Sequence, residues 1–297
     1  MFLANGLQIP VILLCKSIPE GYGAPALTQV LHMTGLLKER PLRRLLGVLQ
    51  MVLDVADEGG FEPEGKALCV AAKLRLLHAG LRPLVRHHLP GYEATHNVPC
   101  NHEDMLVTVL GFSLMVVDGL QALGTQLTPQ DAEDLFYPWR VFCACMGIPD
   151  AYIPTDLQDA RQFYRAWEAR QCVAADQNPE GVQLAHANTQ MLRDLLPQWS
   201  HVLGMSDLPQ MYMWLLMGRQ RCERVRIPPV VGHRLLQKSA ALVMRGVTVN
   251  ENELLRRLLA PITRKLSVAV YRALIRQEYD GEPALVVPTR LADVWSM

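Results

Sequence analysis

His78 and Arg82 stand four residues apart in the segment Lys73-Leu-Arg-Leu-Leu-His-Ala-Gly-Leu-Arg82, and their types suit a metal ligand and an anion clamp. On a helix this spacing puts an imidazole and a guanidinium on one face, where both can line one pocket. A neutral imidazole offers one ring nitrogen to a metal while the other donates to a carbonyl or carboxylate. Ala71, Ala72, Ala79 and Gly80 flank His78 and leave room for a flat macrocycle, so the chemistry this pattern suits is haem iron held by one axial imidazole. Arg75, Arg82 and, from the preceding helix, Arg44 can pair with the carboxylates of such a cofactor. The plain alternatives are a hydrogen-bonded core histidine and arginines held in solvated or interhelical ion pairs.

Other candidate chemistry is weaker. His87, His88, His96, Cys100 and His102 fall close together but match the spacing of no standard zinc module. Pro90, Gly91 and Pro99 make that stretch an exposed loop with solvated histidines. Only Glu93-Ala-Thr-His96 has the ExxH spacing of a di-iron carboxylate site, which needs two such motifs on helices. Serine-nucleophile GxSxG and phosphate-binding GxxxxGK[ST] motifs are missing. Met211-Tyr-Met-Trp-Leu-Leu-Met217 suits either an adaptable apolar pocket or helical core. Thr108 and Gly111 permit close approach of a ligand or of a neighbouring helix.

These residues sit in a chain of 297, half of it apolar, which is enough for a substantial core. Basic and acidic side chains balance at 29 each, which removes the electrostatic argument for nucleic acid or an anionic membrane. No protein partner is inferable. Seven cysteines, at 15, 69, 100, 143, 145, 172 and 222, form no CxxC pair and no CxxCH motif. They read as free thiols in a reducing, cytoplasmic setting and exclude covalent c-type haem. The apolar start lacks a basic n-region and makes a poor signal peptide, with surface association of that segment as a minor alternative. The run Met105–Val117 stops at Asp118, short of the ~20 residues a bilayer needs, so no transmembrane span is expected.

Helical periodicity dominates and strand patterns are almost absent. The expected helices run from Pro41 to about Asp57, from Glu64 to Arg82 with a stop or kink at Pro83, and from the cap Asn101 to about Gln121. Thr128-Pro129 opens another that reaches about Met146. Further helices are expected at about 156–174, 179–197, 207–219, 229–245 and 251–278. Leu106 to Val117 is apolar around nearly every face and should lie inside the protein. Ala284-Leu-Val-Val287 is too isolated to build a sheet. The reading is a single all-α domain of about ten helices over 41–297, with residues 1–40 as an irregular flank packed against it.

A set of short motifs in order carries a family resemblance: Pro19-Glu20-Gly-Tyr22, Thr34-Gly35, Arg43-Arg44-Leu-Leu with Val52-Leu-Asp54, Arg75-Leu-Leu-His78-Ala-Gly-Leu-Arg82, Asn101-His-Glu-Asp104, Phe112-Ser113, Asp118-Gly-Leu120 and Trp139-Arg140. The chain resembles, over most of its length, the catalytic domain shared by rubber oxygenases, or latex-clearing proteins, and an endoplasmic-reticulum oxygenase of mycophenolic acid biosynthesis. The resemblance implies a globin-like helical fold, non-covalent haem b with His78 as proximal ligand, and Arg82 and Arg44 in the haem pocket. It further implies dioxygen as cosubstrate and an apolar, unsaturated, isoprenoid-like substrate. Where rubber-cleaving members carry a distal lysine and threonine this chain has Gly47 and Val48, and their glutamate falls near Thr28. Polyisoprene cleavage is therefore not expected, and a non-catalytic haem carrier or gas sensor is the alternative. A helical scaffold without cofactor is the third reading.

Overall fold

The computed structural model describes residues 8–35, 41–196 and 205–230, together with 269 and 272. Every regular element among the described residues is helical. Local signals account for most of the starts. Asn101 caps the helix His102–Phe112 by accepting the Asp104 amide at 3.0 Å, and Thr128 and Asp131 form a reciprocal capping box before Pro129–Cys145. Asp156 and Asn178 cap Leu157–Gln171 and Pro179–Asp194 by accepting the Asp159 and Gly181 amides. Gly147, at φ +86°, takes the chain out of the Pro129–Cys145 helix in a conformation that L residues resist.

The apolar centre is where the composition places it. Leu106, Leu110, Val116 and Val117 are all within 2% of complete burial. Asp118 ends the uncharged run but not the helical structure, which reaches Ala122, close to the expected Gln121. Helical structure spans His102–Ala122, which is long and apolar enough to cross a membrane by length and composition, but 78% of its apolar window is covered by protein. It is also broken at Ser113 (φ −118°, ψ −82°) into His102–Phe112 and Leu114–Ala122, with the Ser113 hydroxyl donating back to Val109 O at 3.0 Å. Trp139 stacks on Phe112 at 5.3 Å and meets Phe142 edge-on at 5.9 Å, joining Pro129–Cys145 to this centre.

The amino-terminal residues correct the expectation of an irregular flank. Gln8–Ile12, a π-helical turn Leu13–Ser17, Ile18–Gly21 and Pro25–Met33 are helical, and Ile9, Ile12 and Leu13 are core residues rather than a surface-association patch. A Cβ on Gly119 would lie 2.5 Å from Ile12 Cγ2, so only glycine lets Gln8–Ile12 pack this closely on Leu114–Ala122. Asn188 Nδ2 donates to Leu14 O at 2.9 Å within the π-helical turn.

Two further expectations change. The helix expected to end or kink near Arg82 runs Lys66–His88 with Pro83 inside it, and the Pro90–Pro99 loop contains the short helix Tyr92–His96. The helix expected at 207–219 is split at Gly218 (φ +79°) into Leu208–Met217 and Arg219–Arg224. The helices expected at 229–245 and 251–278, and the stretch 284–287, lie largely or wholly outside the described residues, although 269 and 272 are helical.

Candidate cofactor site

Lys66–His88 faces the core along one stripe. Ala67 and Ala71 are buried and Leu74 packs on the same core, while Val85 is buried in a separate small cluster with Val30 and Tyr92. His78 lies seven residues from both Ala71 and Val85, so the heptad places its imidazole on the inward stripe. The ring is half-buried and its Nδ1 is sealed from solvent without a hydrogen-bond partner. Burial, and secondarily the positive charge of Arg82, pushes the imidazole down to about 4, which keeps it neutral at physiological pH. A buried nitrogen with no partner is uncommon and calls for an explanation. A neutral imidazole has the chemistry of an axial metal ligand, but the carbonyl or carboxylate expected to accept from its second ring nitrogen is not met by Nδ1 among the described residues.

The arginines divide. Arg82 is half-buried and donates from Nε to Pro99 O at 3.2 Å and from Nη2 to Cys100 O at 3.1 Å. Its remaining N–H groups are those that an anion could engage. Arg75 is exposed and directed elsewhere: its Nη1 donates to Cys145 O at 3.4 Å, at the carboxyl end of Pro129–Cys145, where a cation complements the helix dipole. Arg44 lies on the neighbouring helix Pro41–Val55, and its side chain is outside the described residues. The small residues divide too. Ala71 is packed in the core, Ala72 and Ala79 are exposed, and a Cβ on Gly80 would meet no atom within 4 Å.

The distal departures have structural consequences. Thr28 is fully buried, its hydroxyl 2.7 Å from Asn178 Oδ1, while Asn178 Nδ2 donates to Tyr22 O at 2.8 Å. Thr28 thus holds two segments together and offers no base. Val48 is partly buried against the core.

Among the described residues no three His, Cys, Asp or Glu side chains are grouped to hold an ion. His87 meets His88 edge-on at 4.7 Å, His96 lies by Tyr92 at 5.0 Å, and His102 lies by Tyr152 at 6.2 Å. An open cleft of about 560 Å³ borders this stretch, lined by polar residues including Glu93, His96, His102 and Glu103. Nearby, burial lifts the Asp104 carboxyl to about 6 and the Cys100 thiol to about 11. Met211, Met213 and Met217 are buried core.

Sequence reasoning missed a buried charge cluster centred on Glu20. Lys16 donates to Glu20 Oε1 at 2.6 Å, Tyr164 Oη donates to Glu20 Oε2 at 2.9 Å, and Arg221 Nη1 reaches Oε1 at 3.5 Å. Arg221 also forks onto Glu168 at 2.7 and 2.8 Å, and Arg224 joins at 2.9 Å. Those hydrogen bonds, with Arg221's leading, hold Glu168 down to about 2. The signal was legible in part: Lys16 and Glu20 at i,i+4 are the charges of an otherwise apolar stretch.

An all-helical protein is the class that the fold defines. The chain belongs to the family described as ER-bound oxygenase mpaB/B'/Rubber oxygenase, catalytic domain, whose model matches residues 10–292. The rubber oxygenase of Streptomyces sp. (strain K30) is 26% identical over 114 residues, which span 37% of this chain and 28% of that protein. The structure of latex clearing protein in the closed state aligns with a TM-score of 0.67 at 18% identity, covering 90% of this chain and 74% of the other. That likeness establishes the helical fold.

Proposed function

We propose that the protein is a haem b-dependent oxygenase that holds its cofactor non-covalently through His78 and uses dioxygen on an apolar, unsaturated small molecule of isoprenoid type. What supports this reading is His78, half-buried with its Nδ1 unpartnered and with burial favouring the neutral imidazole, in a chain that belongs to an oxygenase family. When bound, the haem supplies the one-electron and dioxygen chemistry that protein side chains lack. The chain's own work is to bind, orient and exclude water. His78 offers an imidazole that burial keeps in the neutral form, in which one ring nitrogen has a free lone pair. Arg82 adds positive charge beside it, and Arg44 and Arg75 are the other cations assigned to the pocket, Arg75 only if it leaves the Cys145 carbonyl. Val48 and Gly47 give that side an apolar wall suited to a hydrocarbon.

Protein purified from cells supplied with a haem precursor should show a Soret band that shifts on reduction and again with carbon monoxide. His78→Ala should abolish stable haem incorporation; a full haem complement with an unchanged band in that variant would refute the assignment. A second reading, a haem carrier or gas sensor, is favoured by Thr28, whose hydroxyl is committed to internal hydrogen bonds near the place where the glutamate of rubber-cleaving members falls. Dioxygen consumption with a terpenoid or an unsaturated lipid separates the two, and colourless protein would leave the scaffold reading.

A further inference from the structure

Pro83 stands inside Lys66–His88, five residues after His78. It cannot donate to the Ala79 carbonyl, and its ring crowds that turn. The helix nevertheless continues to His88, and the following chain returns along it. Arg86 Nε donates to Glu93 at 2.8 Å, and Arg82 Nε and Nη2 donate to the successive carbonyls of Pro99 and Cys100 at 3.2 and 3.1 Å. Residues nearer the helix end pair with the start of the return and Arg82 pairs with its finish, as a splint laid across the break. The return segment is itself contorted: Gly91, Asn97 and Cys100 have φ of +90°, +69° and +53°, and left-handed non-glycine residues persist only when neighbours hold them. Asn101, the cap of His102–Phe112, follows directly.

We propose that Arg82 is a positioning residue: by clamping two consecutive carbonyls it splints its helix across Pro83 and fixes the turn that carries His78 against the start of His102–Phe112. The role demands arginine. A planar guanidinium presents parallel N–H groups to two acceptors at once, whereas a lysine ammonium supplies the same charge as a single point. The clamp uses donors that a purely anion-binding arginine would keep for its ligand. This inference rests on His78 being the axial ligand.

The test uses the haem-loaded protein and three variants: Arg82→Lys, Pro83→Ala and the two combined. Arg82→Lys should raise amide hydrogen exchange at 84–88 and 98–101 by at least about tenfold, and should shift or broaden the iron–histidine stretching band of the reduced protein. Pro83→Ala restores the missing backbone donor, so the double variant should recover exchange protection at 84–88 and a native band. A band in Arg82→Lys identical to the parent's, with haem fully bound, would overturn the positioning role while leaving the axial ligand intact. Exchange unchanged in Arg82→Lys, or a double variant no better than the single one, would overturn the splint. Absence of haem from the parent protein would remove the axial-ligand reading and this inference with it.

Discussion

Deleting the Glu20 carboxylate should destabilise the protein far more than deleting its lysine partner, because the carboxylate is the hub and the lysine a spoke. The side chains of Glu20 and Lys16 are 1% and 7% exposed. Removing one member of a buried ion pair leaves the other uncompensated, at about 3–5 kcal/mol. In Glu20→Ala the Tyr164 hydroxyl also loses its acceptor at 2.9 Å, worth about 1–3 kcal/mol more. The two losses overlap, so the expected cost is on the order of 5 kcal/mol, a large part of the ~5–15 kcal/mol that holds a typical domain together. In Lys16→Met the carboxylate keeps Tyr164 and Arg221, and the expected cost is about 1–2 kcal/mol. The double variant should be more stable than Glu20→Ala alone, since the stranded ammonium is gone and Arg221 retains Glu168. Urea midpoints followed by far-ultraviolet circular dichroism at pH 7 complete the cycle. Equal losses in the two single variants, or a double variant that merely adds them, would refute the hub.

Three further outcomes are expected. The Asp104 carboxyl lies near 6 in the fold against about 3.9 unfolded, so its contribution to stability is fully present below pH ~4 and is lost as pH rises through ~6. Asp104→Asn should remove a falling component on the order of 3 kcal/mol between those pH values, and an unchanged slope in urea midpoints against pH would count against it. Gly80→Ala should stabilise the haem-free protein by about 0.5–1 kcal/mol, because the added methyl meets no atom within 4 Å; a lower melting temperature would show that the space is filled. Thr28→Glu, which supplies the acidic type found in rubber-cleaving members, should lose several kcal/mol by burying a carboxylate at a fully buried site and should gain no dioxygen consumption.

Much of this molecule is readable locally. Caps such as Asn101 and the Thr128–Asp131 box act within one turn of chain, so residue type and spacing suffice to locate them. The setting of His78 is legible only in part: its neighbours on the Glu64–Arg82 helix are, but that Ala71 and Val85 are buried and that the helix reaches Val85 past Pro83 is seen only in the fold. The all-helical class and the buried Met105–Val117 run follow from the arithmetic of apolar positions.

Tertiary structure decided the rest, for reasons that no window of sequence holds. Residues 8–33 carry Pro10, Pro19, Gly21, Gly23 and Pro25 and look like punctuation. They are helical because Ile9, Ile12 and Leu13 are taken into the core and a π-helical turn accommodates the fit. Pro83 reads as a stop, yet the helix passes it while Arg82 is anchored to carbonyls 17 and 18 residues later. Glu20 is an ordinary surface type until Tyr164 and Arg221, 144 and 201 residues away, converge on it. Short-range steric and capping preferences are properties of neighbours in the chain. Desolvation and the pairing of buried charges belong to neighbours in space, and only the packed fold selects those.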